Sequence, residues 1–250
     1  VGKGQPLGQH WLKHAQYLDS IAESAELTKA DTVLEIGPGQ GDLSFKLAKK
    51  ADRVIAVEID DDLIESFGRA DLPKNLEIIA SDFRDFNLDS LPTDYKAVAN
   101  IPYYLTGEII RTLLAANNRP SLIVLLVQKE VAERAAAGPG KMSVLGVTSQ
   151  LLSDVSLGII VPPSAFIPPP KVDSQVVIFR PLQQPRIEVD TQKFFKLVKL
   201  AFVMKRKKLT NSLASIENSR QILEDLDLAD MRPQELNFEQ WRSLYERVYE

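Results

Sequence analysis

The chain contains no cysteine, which excludes disulfides, thiolate metal sites and cysteine nucleophiles and fits a reducing cytoplasm. It also lacks any apolar run near the ~18 residues that a membrane-spanning helix needs. Its opening residues are too polar for a signal peptide. The expectation is a cytoplasmic protein without a membrane partner. Val1 stands where a start methionine is usual, so a short segment can precede it. A basic excess is missing too. The net charge is −4 and the pI about 5.4, whereas nucleic-acid binders usually show a basic footprint. The average hides an asymmetry: Lys193, Lys196, Lys199, Lys205, Arg206, Lys207 and Lys208 follow one another with no acidic residue between Thr191 and Ser212. Glu217, Glu224, Asp225, Asp227, Asp230 and Glu235 come afterwards. One basic face is therefore available despite the acidic total.

What is present is ordinary globular composition, 44% hydrophobic and 26% charged over 250 residues, enough for a large domain with a small appendage. From Asp31 onward, short apolar runs alternate with helix-period segments, the pattern of a mostly parallel α/β sheet. Strands are predicted at Thr32–Ile36, Arg53–Glu58, Leu76–Ala80, Lys96–Ala99 and Ser121–Val127. Helices are predicted at Asp42–Lys50, Asp61–Arg69, Thr106–Ala116 and Lys129–Ala137. Two later strands, Val155–Val161 and Gln175–Phe179, flank a proline-rich loop and can close the sheet as an antiparallel hairpin. Pro181 and Pro185 mark a linker. Beyond it the pattern is helical at Thr191–Val203, Lys207–Ile216, Ser219–Asp225 and Phe238–Tyr249. The reading is an α/β domain over 1–181 and a small all-α domain over 186–250.

The first strand runs into Gly37-Pro38-Gly39-Gln40-Gly41. Such glycines let the backbone turn tightly and approach a ligand. A third glycine at the spacing of the dinucleotide fingerprint is absent, and Asp42 stands there instead, where its charge opposes a pyrophosphate. A nicotinamide oxidoreductase is disfavoured on that ground. Alone, the loop is equally well a plain strand-to-helix turn. Glu58 and Asp82 change the balance, because they end the second and third strands on the ligand-binding edge of an open sheet. Glu58 can accept both hydroxyls of a ribose and Asp82 the amine of an adenine, although either acid alone is commonly a solvated strand end.

Asn100-Ile101-Pro102-Tyr103 follows the fourth strand. With this motif, residues 30–104 resemble a class I (Rossmann-like) S-adenosylmethionine-dependent methyltransferase of the amino-methylating kind. An adenine amine is a poor nucleophile because its lone pair is delocalised into the ring. The resemblance makes the Asn100 side-chain oxygen and the Ile101 carbonyl acceptors for its two N–H groups. Pro102 fixes the loop, and Tyr103 stacks on the extruded base. The proline-rich run Pro162–Ser174 holds Phe166 stiffly enough to form a second stacking wall, worth ~1–3 kcal/mol per base.

The likeness extends over nearly the whole chain and narrows to the KsgA family of ribosomal RNA adenine dimethyltransferases. Leu7-Gly8-Gln9-His10-Trp11-Leu12 is similar to that family's opening motif, with Trp11 in place of phenylalanine. Gln128–Arg134 and the segment Ala201–Leu209 also resemble it. The resemblance implies cofactor contacts from Gln9, His10, Leu12, Gly37, Gly39, Glu58, Ile59, Asp82, Phe83 and Asn100. It implies RNA phosphate contacts from Lys205, Arg206, Lys207 and Lys208. It further implies S-adenosylmethionine as methyl donor, no metal, a monomer, and dimethylation of two adjacent adenines near the 3′ end of small-subunit rRNA. Tyr104 departs from the asparagine or glutamine that often follows the motif. The alternatives are the large-subunit methyltransferases of macrolide resistance and a non-catalytic ribosome-assembly factor. DNA methylation is disfavoured by the lack of a DNA-reading module.

Overall fold

The computed structural model describes residues 10–101, 103–204 and 206–249. Its centre is a seven-stranded sheet ordered β4-β3-β2-β5-β6-β9-β7. The strands are β2 (Thr32–Ile36), β3 (Arg53–Glu58), β4 (Leu76–Ala80), β5 (Lys96–Asn100), β6 (Leu122–Gln128), β7 (Ser153–Val161) and β9 (Ser174–Pro181). Pairs β2–β3, β3–β4, β2–β5 and β5–β6 are parallel, and β9 lies antiparallel to β6. A parallel strand covered on both faces needs a continuous apolar run rather than alternation. Leu122 to Val127 supplies one, and every residue of it is buried. Two further short strands, β1 (Trp11–Leu12) and β8 (Phe166–Ile167), pair antiparallel with each other.

Helices return the chain between the parallel strands: α2 (Asp42–Lys50), α3 (Asp61–Gly68) and α4 (Thr106–Ala115), with α1 (Ala15–Ser24) ahead of them. Their termini follow from local chemistry. Asp42 opens α2 and Lys49 and Lys50 close it, each sign facing the opposite end of the helix dipole. Asp60 caps α3 by accepting from the amides of Asp62 and Leu63. Leu18, Ile21 and Ala22 of α1 join Leu43, Leu47 and Ala48 of α2 in the core against the strands.

The chain forms two compact units. Up to Ala132 and again from Ser156 to Pro181 it builds the sheet unit; Glu133–Val155 and everything from Leu182 build the second. The boundary thus falls inside α5 (Lys129–Ala135) and β7, and residues 133–155 group with the second unit. The second unit also contains α6 (Val144–Leu152), α7 (Thr191–Phe202), α8 (Leu209–Ser212), α9 (Ser219–Asp225) and α10 (Phe238–Tyr249). Its core is aromatic. Trp241 is fully buried, meets Phe194 edge-on at 5.9 Å and stacks on Phe202 at 6.3 Å.

Beyond small shifts at element ends, several elements differ from the sequence reading, which predicted neither α1 nor the short strands β1 and β8. Helix α8 is a single turn instead of the ten residues predicted from Lys207, a stretch containing Asn211, Ser212 and Ser215, which compete for the backbone. Helix α6 was not anticipated. Its Val144, Val147 and Thr148 are β-branched and Gly146 sits in its interior, so its intrinsic propensity is poor. It forms because Ser143 caps it and because Gly146 packs against the backbone. A Cβ at Gly146 would lie 2.7 Å from the Arg134 carbonyl oxygen. Gly146→Ala should therefore destabilise the protein by about 1–3 kcal/mol through overpacking. The ~1 kcal/mol of helix propensity that alanine adds is too small to reverse the sign. Urea denaturation of the variant measures it, and an increase in stability would contradict this packing.

Candidate active site

Parallel strands end on one side of a sheet, so β2, β3, β4 and β5 deliver their carboxyl ends to a common edge. There the sheet unit holds a cavity of about 350 Å³. His10, Leu12, Gly37, Gly39, Glu58, Ile59, Asp82, Phe83, Asn100, Ile101, Tyr103 and Phe166 all line it. Gln9, Pro102 and Lys205 lie outside the described residues.

The glycine loop forms one wall. Gly37, Gly39 and Gly41 all have positive φ, +67°, +59° and +84°. The space beside Gly37 is open, with nothing within 4 Å of where a Cβ would stand. At Gly39 a Cβ would fall 2.3 Å from Cζ3 of Trp11, so the edge of the indole ring closes on a bare backbone. Trp11 reaches this position because β1 pairs with β8, Trp11 opposite Ile167 and Leu12 opposite Phe166. The Lys13 amide donates to the Ala165 carbonyl, and the Lys13 ammonium bridges Gln40 and Asp42 at 2.5 and 2.7 Å. His10 Nδ1 donates to the Pro168 carbonyl at 2.8 Å while its ring stacks on Tyr103 at 6.0 Å. The opening segment and the proline-rich loop are thus joined over the cavity.

Glu58 is 5% exposed and held by three backbone amides. Its Oε1 accepts from Ile59 and Asp60 at 2.9 and 3.0 Å, and its Oε2 accepts from Gly39 at 3.1 Å. A carboxylate offers about four acceptor positions, so one remains on Oε2. That is fewer than the sequence reading assumed for a pair of hydroxyls. Next to it Ile59 presents an apolar side chain that is 56% exposed.

Asp82 lies beyond β4 and is clasped by Arg84. Its Oδ1 accepts from the Arg84 amide at 2.9 Å and from Nε at 3.0 Å; its Oδ2 accepts from Nε at 3.0 Å and from Nη2. These bonds hold the Asp82 carboxyl below the usual carboxylate range.

Asn100 is the last residue of β5, and Ile101 behind it is buried. Tyr103 begins a 3-10 turn, Tyr103–Leu105, and its hydroxyl lies 2.8 Å from that of Ser174. Phe166 lines the cavity from β8 but is only 3% exposed, since it also packs into the core. Tyr104, by contrast, is 63% exposed at the rim.

Glu35 was missed by the sequence reading. It sits within β2, is fully buried, lines the cavity, and its Oε2 has no hydrogen-bond partner among the described residues. Burial pushes its pKa up to about 8; the nearby Ser44 hydroxyl opposes the shift and the Glu58 carboxylate adds to it. A charged residue inside the otherwise apolar run Val33-Leu34-Glu35-Ile36 was the available signal. A vacant acceptor below the cavity suits a cationic group. With open backbone at Gly37, a carboxylate at the end of β3 and an apolar ledge at Ile59, the residues present fit an amino-acid-bearing nucleoside. No group of three potential metal ligands occurs among the described residues.

In the helical unit Arg206, Lys207 and Lys208 are exposed. The sequence reading left this cluster without acidic neighbours. Folding supplies one: Lys208 bonds Asp230 at 2.5 Å.

Comparison with known proteins agrees with this arrangement. The family described as ribosomal RNA adenine dimethylase matches residues 3–249. The chain is 42% identical to ribosomal RNA small subunit methyltransferase A of Nostoc sp., over 94% of each chain. Among solved structures, a dimethyladenosine transferase from Plasmodium falciparum superposes with TM-score 0.82 at 28% identity, covering 95% of this chain and 97% of that one. The 23S rRNA methyltransferase ErmE gives 0.74 at 28% identity, covering 96% and 100%. With its strand ends converging on one cavity and a family match along almost its full length, the chain belongs to the ribosomal RNA adenine dimethylases.

Proposed function

We propose that this chain transfers methyl groups from S-adenosylmethionine to the N6 amines of two adjacent adenines near the 3′ end of small-subunit rRNA, as a step in ribosome biogenesis. The observation that carries the proposal is the meeting of Glu58, Asp82 and Asn100, from three successive strand ends, on one cavity beside Tyr103. Identity of 42% to a small-subunit enzyme favours that substrate over the large subunit named for ErmE.

The donor supplies an activated methyl group on a sulfonium, so the protein's task is positioning. Glu58 offers its remaining acceptor to a ribose hydroxyl, Ile59 an apolar surface to the adenine ring, and Asp82 an acceptor to the adenine amine. Glu35 faces the ammonium of the methionine part. At the target base, the Asn100 side-chain oxygen and the Ile101 carbonyl accept the two N–H groups. The nitrogen lone pair is thereby aimed outward, and Tyr103 and Phe166 wall the ring. When bound, the donor would supply its methyl group to the nitrogen held by Asn100 and Ile101, and the nitrogen's surplus proton would pass to water. A base inside a duplex is inaccessible until flipped, so the RNA is recognised by its folded shape. Lys205, Arg206, Lys207 and Lys208 hold phosphates without reading sequence. The protein works as a monomer in the cytoplasm.

Equilibrium binding tests the cofactor assignment. S-adenosylmethionine should bind and NAD should not, and Glu58→Ala should raise the Michaelis constant for the donor by about tenfold, as for one charge-assisted hydrogen bond. Equal affinity of the variant for S-adenosylmethionine would remove Glu58 from the site.

A further inference from the structure

Asp82 is already engaged by Arg84 before its proposed task begins. A carboxylate has about four acceptor positions, and Arg84 directs three N–H groups at them, its amide at Oδ1, Nη2 at Oδ2 and the single Nε hydrogen shared between the two. An adenine amine therefore competes with the guanidinium for the side of the carboxylate that it occupies. The Arg84 amide belongs to the local turn and is fixed by the backbone, but the guanidinium is carried on a flexible side chain that is 58% exposed. It also has somewhere to go. Glu108 of α4 and Asp85 both attract it, and Glu108 lines the same cavity.

We propose that Arg84 is an internal competitor for the purine subsite: its guanidinium occupies Asp82 until the cofactor's adenine amine displaces it. The inference rests on the reading that Asp82 receives that amine. Bidentate guanidinium–carboxylate pairing is the stronger contact in isolation. The exchange therefore weakens binding of every adenosine ligand by the fraction of molecules in which Asp82 is free. It also determines selectivity. A purine with a carbonyl at position 6 has lost the amine donor there, its remaining donor lying at N1, and its oxygen can accept from Arg84 where the guanidinium stands. Arg84 thus narrows the preference for adenine over hypoxanthine, and it leaves Asp82 satisfied whenever the site is empty.

Calorimetric titration with S-adenosylhomocysteine and with its inosine analogue tests this on the wild type, Arg84→Ala, Arg84→Lys and Asp82→Ala. If about one molecule in ten has Asp82 free, Arg84→Ala binds S-adenosylhomocysteine about tenfold tighter. The inosine analogue gains nothing, so the preference for adenine widens. Arg84→Lys, which lacks the fork, falls between. Weaker or unchanged binding of S-adenosylhomocysteine by Arg84→Ala would overturn the proposal, weaker binding meaning that Arg84 merely orients Asp82. If Asp82→Ala binds both ligands as the wild type does, the reading of Asp82 itself fails, whatever Arg84 does.

Discussion

Replacing Asn100 with alanine is expected to lower kcat for methyl transfer by on the order of 10²- to 10³-fold, the scale for losing one preorganised acceptor at a reacting centre. Asn100 ends β5, its backbone is held in register opposite Leu126, and its side chain reaches the cavity. Removing the amide leaves the strand pairing intact, so the fold survives and thermal unfolding shifts little. The adenine amine keeps only the Ile101 carbonyl as acceptor, and its lone pair returns to conjugation with the ring. Asn100 borders the donor as well, so donor affinity falls too, by much less than kcat. Single-turnover assays at saturating donor separate the two effects. Wild-type turnover in this variant would abolish the proposed catalytic centre.

The second large effect concerns Glu35. Its folded pKa of about 8 exceeds the ordinary 4.5, so the folded protein without cofactor holds a proton there that the unfolded chain releases. Stability then falls as pH rises through the window between those values and levels off above it. At ~1.4 kcal/mol per unit, the loss between pH 5 and pH 8 is a few kcal/mol at most, discounted for relaxation around the buried group. Glu35→Gln carries no proton to lose, and its stability should be nearly flat across the same range. Denaturant titrations of both proteins at pH 5, 6.5, 8 and 9 make the comparison. Parallel curves would show that Glu35 does not titrate between these limits.

Much of the sheet was legible because its physics is local. β2, β3 and β4 match the predicted spans residue for residue, since short β-branched runs between helix-period segments leave few other arrangements. The proximity of Glu58, Asp82 and Asn100 was legible for a related reason: parallel strands put their carboxyl ends on one edge. What eluded the sequence depends on distant packing. β1 and β8 are two residues each, too short for periodicity, and their pairing across the chain is what brings Trp11 to Gly39. Helix α6 defies its own propensities for a contact with the Arg134 carbonyl. The Lys208–Asp230 pair joins residues that a reading of charge runs keeps apart.

The central claim is most directly tested by incubating the protein with methyl-labelled S-adenosylmethionine and unmethylated small subunits, large subunits or naked rRNA, then analysing the nucleosides. The account predicts label in the small subunit as N6,N6-dimethyladenosine. Label confined to the large subunit, or no transfer to any RNA despite donor binding, would contradict it.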